Sequence, residues 1–281
     1  MRRAFRPLLA AFTLAFALVG CSAPRVAKME ATDDLRIVSL NPCSDAILAE
    51  IAPDKLVAVS QYSHDSSAGS MPVEEARRWP ATGGSVEDIL AADADMVVAS
   101  SFLPPATRSA LGELGIPVVT LGIATDVDAS MAQVRELADA VGEAEAGNAL
   151  VGRIEAALAE ASPAPGDPQP ATILWQPGGI VAGEGALVVD LMRRLGFHPA
   201  AAARGLGQGD QLPLEAVLVD PPELLLHAGP RGDEKSRTLN HPVLRKLPAA
   251  RAELSPRLYY CGGPSLIRAA ERLAAIRERL S

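Results

Sequence analysis

The feature that most constrains this chain is an alternation of short apolar strands and helical stretches that halts at a proline-rich segment and then begins again. Apolar runs at residues 36–40, 55–60, 96–100 and 117–121 alternate with helical patterns that start near Ser44 and Ser85 and span 105–114, with a long polar segment ahead of Pro80. Strands alternating with helices imply βαβ units and a mainly parallel sheet. Residues 128–160 carry one long helical pattern, in which Met131, Val134, Leu137, Val141, Leu150, Ile154 and Leu158 recur at spacings of three, four and seven, with slack only around Gly142 and Gly147. "SPAPGDPQP" (162–170) reads as a linker. The alternation then resumes with a strand at "ATILW" (171–175), a glycine-rich turn, helices at 186–195 and 213–219, and a strand at "ELLLH" (223–227). A helix after His241, a strand at "RLYYC" (257–261) and a last helix over 264–280 complete the pattern.

The two halves echo each other. "VEDILAADADMVVASS" begins at Val86 and "LEAVLVDPPELLLHAG" at Leu214, so that Glu87 matches Glu215, Asp95 matches Glu223 and Met96-Val97-Val98 matches Leu224-Leu225-Leu226. The expected fold class is therefore α/β, with two α/β lobes of mainly parallel sheet joined by one long helix and a ligand cleft between them. The expected boundaries are 35–125 for the first lobe, 126–161 for the interlobe helix and 162–281 for the linker and second lobe.

The first 21 residues stand apart. A basic start (Arg2, Arg3, Arg6), an apolar run from Leu8 to Val19 and a small residue before Cys21 read as a secretory signal. Leu18-Val19-Gly20-Cys21 also resembles the bacterial lipobox, which makes Cys21 the expected lipidation site. Residues 22–34 lack periodicity and read as a flexible tether. No later segment is apolar enough to span a membrane, so the expected place is the periplasm or cell surface, held by an N-terminal lipid. Removing three leader arginines takes the formal charge from −8 to about −11. An acidic chain without a basic stripe argues against a nucleic-acid partner, and a monomer is expected. With Cys43 and Cys261 remaining in an oxidising compartment, one disulfide is permitted but no disulfide scaffold.

In open α/β sheets, ligands bind beyond the carboxyl ends of the strands. The loops there hold Cys43, Tyr62, His64, Ser85 and Phe102 in the first half and Trp175, Gln176, His227 and Cys261 in the second, which are the expected ligand-binding residues. Several of the few aromatics outside the leader lie at or near such ends, as suits an apolar pocket for a bulky organic ligand. Enzymatic signatures are absent. "QPGGIVAGEG" lacks the Lys-Ser/Thr of a phosphate loop, "GLGQGD" follows no strand, and the four histidines show no metal-binding spacing. Glu87 and Glu215 each sit in the first turn of an expected helix. The helix dipole alone favours an acid there, and a pair of exposed acids, one per lobe, also suits docking to a partner that spans both lobes.

"RIVSLNPCSDAIL", "GGSVEDILAADADMVVAS", "LGIPVVTL", "LPLEAVLVDPPELLL" and "HPVLRKLPA", in this order, resemble the periplasmic substrate-binding proteins of ABC importers, in the iron–siderophore and cobalamin branch. The resemblance spans nearly all of the chain after the leader. It implies two lobes joined by a rigid helix, no catalysis, and no cofactor beyond the carried ligand. That ligand is an iron chelate or cobalamin, delivered to a permease dimer with its ATPase. It also implies that Glu87 and Glu215 dock on permease arginines. Few arginines fall near the expected cleft, Arg204 and Arg231 being the candidates, which fits a corrinoid or neutral ferric hydroxamate better than an anionic catecholate. Haem, with Tyr62, His64 or a cysteine on iron, a free transition metal, and a metal-dependent enzyme using Cys43, Cys261 and His227 remain the alternatives.

Cys43 and Cys261 have three possible states: bridged, jointly bound to a metal, or separate. A bridge needs Cα atoms within about 7 Å and would pinch the cleft, so the expectation is two unbridged, cleft-lining thiols when ligand is bound.

Overall fold

The computed structural model describes residues 34–228 and 241–280. The expected leader with Cys21, most of the expected tether, and Arg231 lie outside these residues. The first lobe runs β1 (Ile37–Ser39), α1 (Pro42–Ile51), β2 (Leu56–Ser60), α2 (Val73–Ala76), β3 (Ala81–Thr82), α3 (Val86–Ala91), β4 (Met96–Ser100), α4 (Pro105–Glu113) and β5 (Val118–Leu121). Two helices follow, α5 (Val127–Val141) and α6 (Ala144–Ala161). The second lobe runs β6 (Ala171–Trp175), α7 (Leu187–Arg194), β7 (His198–Pro199), α8 (Ala200–Ala203), α9 (Leu214–Val219), β8 (Leu224–His227), β9 (Ala250–Glu253) and α10 (Ser265–Glu278).

Both sheets are wholly parallel, in the orders β3-β2-β1-β4-β5 and β7-β6-β8-β9. The near-continuous apolar runs seen in the sequence are what a sheet buried on both faces requires. Side chains alternate between two layers. Ile37, Val59, Met96 and Val98 of the first sheet and Leu174, Leu224 and Leu226 of the second enter one core that is continuous through α5, α6 and α10. Val38, Ala58, Val97 and Ala99 fill a separate layer on the far face of the first sheet. Ile173, Trp175 and Leu225 do the same on the far face of the second.

The long helical pattern is two helices, which corrects the expectation of one. Gly142 takes left-handed backbone (φ 77°), and its N–H and that of Glu143 return to carbonyls of the last turn of α5. The chain then folds back, so that Arg135 of α5 pairs with Glu155 of α6 at 3.7 Å, a contact across twenty residues that a continuous helix forbids. Gly147 lets the helices approach closely, because a Cβ there would lie 2.3 Å from that of Ala138. Hydrophobic periodicity missed the reversal because both helices bury the same kind of apolar stripe. Lys55, almost fully buried, secures the turn: its Nζ donates to the Val141 carbonyl at 3.0 Å and pairs with Glu143 at 2.6 Å. A cation at that helix end is favoured by the dipole.

"RLYYC" is not a strand. Pro256 to Leu258 form a 3-10 turn, and the last strand of the sheet is β9, whose sequence "ARAE" is half-exposed at the edge and lacks an apolar run. The expected helix after His241 is likewise a 3-10 turn, Pro242–Lys246. The two-residue strands β3 and β7 also lie at edges, where pairing does not demand a strong apolar pattern.

Cys43 and Cys261 form a disulfide with Cα atoms 5.1 Å apart, which overturns the expectation of unbridged thiols. Because residues 257–261 are not a strand, Cys261 is not held at a far strand end. The segment turns inward instead: the Gly263 N–H donates to Ser130 Oγ of α5 at 2.8 Å, and the Gly263 backbone packs on Ile47 of α1. The bridge therefore lies at a junction where the lobes are already packed, not across an open gap. It closes a loop of 218 residues, and the loop-entropy argument assigns such a bridge at most about 5 kcal/mol. A C43S/C261S variant should lose several degrees in melting temperature, and the unreduced protein should show neither thiol to an alkylating reagent after denaturation. Equal melting temperatures for the two proteins would remove the bridge from any role in stability.

Candidate functional site

Parallel strands put all their carboxyl ends on one side of a sheet. In the first lobe the second residue past β2, β4 and β5 is in each case a large exposed side chain: Tyr62 (56% exposed), Phe102 (76%) and Ile123 (64%). Tyr260 of the second lobe is also exposed (60%). Strand order sets Tyr62, the Cys43–Cys261 bridge, Phe102 and Ile123 in a row across β2, β1, β4 and β5. At ~4.8 Å per strand the row is about 14 Å long. Scattered apolar residues on a surface need no explanation, but exposed ones gathered past the ends of neighbouring strands make this side the candidate binding surface.

A cavity of about 220 Å³ opens at one end of this row. Ile123 and Ala124 line it from the first lobe, and Gln176, Ile180, Ala182, Leu187, Val188, Gln208 and Tyr260 are among its walls from the second. Among the described residues, every side chain that lines it is uncharged. The Tyr260 hydroxyl donates to Gln176 Oε1 at 3.3 Å, and the Tyr260 ring meets that of buried Tyr259 edge-on at 4.9 Å. Burial and the neighbouring Tyr260 push the Tyr259 phenol well above its ordinary value, so it stays protonated.

Tyr62 is held by a short 3-10 turn, Gln61–His64, whose anchor is Asp45 of α1. Asp45 is fully buried, and its Oδ2 accepts from the Ser60 N–H at 3.0 Å and from Ser63 Oγ at 2.6 Å, on either side of Tyr62. Its Oδ1 has no hydrogen-bond partner among the described residues. Burial pushes the carboxyl up to about 7, against hydrogen bonds from Ser39, Ser63 and Ser60 that pull it down.

The other expected site residues divide clearly. Gln176 lines the cavity. His64 does not present its ring to the cleft: Nε2 lies 3.1 Å and 3.2 Å from the Ala76 and Trp79 carbonyls. Ser85 caps α3, accepting from the Asp88 N–H at 3.1 Å. Trp175 is fully buried in the far layer of its sheet. His227, in register with Trp175, shares that face, so strand alternation turns both away from the shared core. Bridged cysteines offer no thiolate, and His227 lies elsewhere, so the expected Cys43, Cys261 and His227 metal set is not assembled. Among the described residues no cluster of three or more His, Cys, Asp or Glu side chains is placed to hold a metal ion. Arg204 is engaged by Asp220 at 2.8 Å. Sequence reasoning missed Ile123, whose signal is its place two residues past a strand, shared with Tyr62 and Phe102; Tyr260 is among the aromatics expected near strand ends.

The raised Asp45 carboxyl has a pH signature. Between the unfolded value of 3.8 and about 7 the folded protein holds a proton that the unfolded chain has released, so stability should fall as pH rises across that interval. Melting temperatures from pH 5 to 8 should show this slope in the wild type and a flatter one in D45N. An unchanged slope in D45N would assign the effect to another group.

The sequence profile described as periplasmic binding protein matches residues 37–255. No curated protein matches by sequence. Among solved structures, the periplasmic heme-binding protein of Roseiflexus sp. RS-1 superposes with a TM-score of 0.69 at 22% identity, covering 88% of this chain and 98% of that one. The periplasmic heme-binding protein of Vibrio cholerae gives 0.71 at 17%, covering 86% and 98%. The periplasmic vitamin B12 binding protein of Vibrio cholerae gives 0.64 at 18%, covering 87% and 97%. These likenesses concern the fold, and the profile covers most of the chain, from β1 past β9. Two parallel α/β lobes, a carboxyl-end cleft between them and the profile match together place this chain in the periplasmic binding protein family.

Proposed function

We propose that this chain captures a metal chelate with a broad uncharged face, a corrinoid or haem, between its lobes and delivers it to an ABC importer. The observation that carries the reading is the row of Tyr62, Phe102 and Ile123 leading to an interlobe cavity whose walls, among the described residues, are uncharged. A flat macrocycle buries apolar area on such a row, whereas an anionic catecholate would need cations there. Structurally similar proteins described as binding heme and vitamin B12 support the same class. A neutral ferric hydroxamate is the second reading, favoured by the same uncharged walls. The Tyr62 hydroxyl is the candidate donor to iron, since phenolates serve as axial ligands to haem.

Delivery rests on Glu87 and Glu215. Both are exposed, and both lie in the first turn of six-residue helices, α3 and α9, which precede β4 and β8 in the two lobes. The matched placement supports one docking acid per lobe. Cleavage and diacylation at Cys21 complete the proposal by keeping the protein at the membrane beside its permease.

Native mass spectrometry against cobalamin, haem, neutral ferric hydroxamates, ferric catecholates and free metal ions tests the ligand class. One macrocycle should bind one-to-one, and silence toward every chelate would end the reading. If haem is the ligand, Y62F should weaken it by about tenfold or more and change its visible spectrum, the tenfold being the effect of a single lost hydrogen bond or ligand contact of ~1.4 kcal/mol. If cobalamin is the ligand, Y62F should leave the spectrum unchanged. E87K/E215K should abolish uptake in cells while ligand affinity stays at the wild-type value. A fall in affinity would instead place the two acids at the ligand.

A further inference from the structure

A second pocket, of about 280 Å³, lies between the lobes and shares no lining residue with the uncharged cavity. Ser70 and Pro72 of the first lobe and Ser255, Arg257, Leu258 and Arg268 of the second enclose it. The two guanidinium groups converge on three consecutive carbonyls. Arg257 Nε donates to the Gly69 carbonyl at 2.9 Å and its Nη2 to that of Met71, while Arg268 Nη2 donates to that of Ser70. Neither arginine has a carboxylate within 4.0 Å among the described residues, although other arginines of the same chain are so paired. Both are half-buried. Two like charges bonded to adjacent neutral carbonyls, partly out of water and without a carboxylate partner among the described residues, make this a locally cationic spot in an acidic protein. A guanidinium carries five N–H donors, so these contacts leave three on Arg257 and four on Arg268. Ser70 is buried, and its hydroxyl has no partner among the described residues.

We propose that this pocket is a binding site for a small oxyanion, of the phosphate or sulfate type, that joins the two lobes. Arginine forks match the paired oxygens of such an anion, and charge-assisted bonds to them are the strong ones. The anion would neutralise the two cations of the second lobe, which in turn hold the carbonyls of the 69–71 segment in the first. Occupancy therefore stiffens the interlobe contact on the side of the Tyr62 turn. The site is separate from the proposed cargo cleft and stands whether or not a macrocycle binds there.

The test uses the full disulfide-bonded protein with inorganic phosphate and sulfate as probes, in calorimetric and thermal titrations at constant ionic strength set with chloride. Saturable one-to-one binding and a rise in melting temperature are expected. R257Q and R268Q should each weaken binding by roughly tenfold or more, the loss of one charge-assisted contact. Since either change also loosens the interlobe contact, S70A serves as the milder variant; it should keep the wild-type melting temperature without anion and lose part of the anion response. Absence of saturable binding, or equal affinity in all variants, would overturn the proposal. Displacement of phosphate by cobalamin or haem would overturn it too, by assigning the arginines to the cargo cleft.

Discussion

Everything in this molecule hangs on the apolar layer that α5 and α6 share with both sheets. The inner faces of both sheets are buried in one core. Ile37 and Val98 on one side and Leu174 and Leu226 on the other reach the same continuous core through the helical hairpin. The hairpin depends on a left-handed glycine at 142 and on Lys55 holding the turn's carbonyl and carboxylate. With the two sheets fixed against one support, the loops at the carboxyl ends of their strands have a defined relation. The disulfide lies within that packed junction and adds a covalent limit to a contact that burial already makes.

The site follows from this frame by simple rules. Parallel strands bring Tyr62, Phe102 and Ile123 to one side, and strand order spaces them across the sheet. The uncharged walls of the interlobe cavity come from the first turn of the chain after β5 and from the glycine-rich segment after β6. One buried acid, Asp45, fixes the turn that carries Tyr62, and its carboxyl is pushed up to about 7 because the surrounding core solvates charge poorly. Two arginines at the lobe boundary, Arg257 and Arg268, line a pocket of their own. The cationic and the uncharged pocket thus share no lining residue along one interface.

Much of the fold was legible because buried parallel strands write continuous apolar runs, and the runs at β1, β2, β4, β5, β6 and β8 are all visible. Three of the four edge strands were not: β3 and β7 are only two residues long, and β9 satisfies its backbone with "ARAE" and needs no apolar side chains. Of the expected site residues, Tyr62 and Phe102 stand exposed just past strand ends and Gln176 lines the interlobe cavity. Trp175 and His227 do not, because a strand end alone does not say which face its last side chain takes. That parity is decided by which layer each sheet face packs against.

The sequence by itself determined that the chain is α/β, that it has two related halves, and that aromatics gather near strand ends, because local periodicity and turn chemistry are short-range properties. Only the tertiary structure decided that the long helical pattern is a hairpin, that Cys43 meets Cys261, and that two arginines share a pocket against residues 69–71. Each of these joins positions far apart in the chain, and a one-dimensional pattern carries no record of which apolar stripe will pack on which.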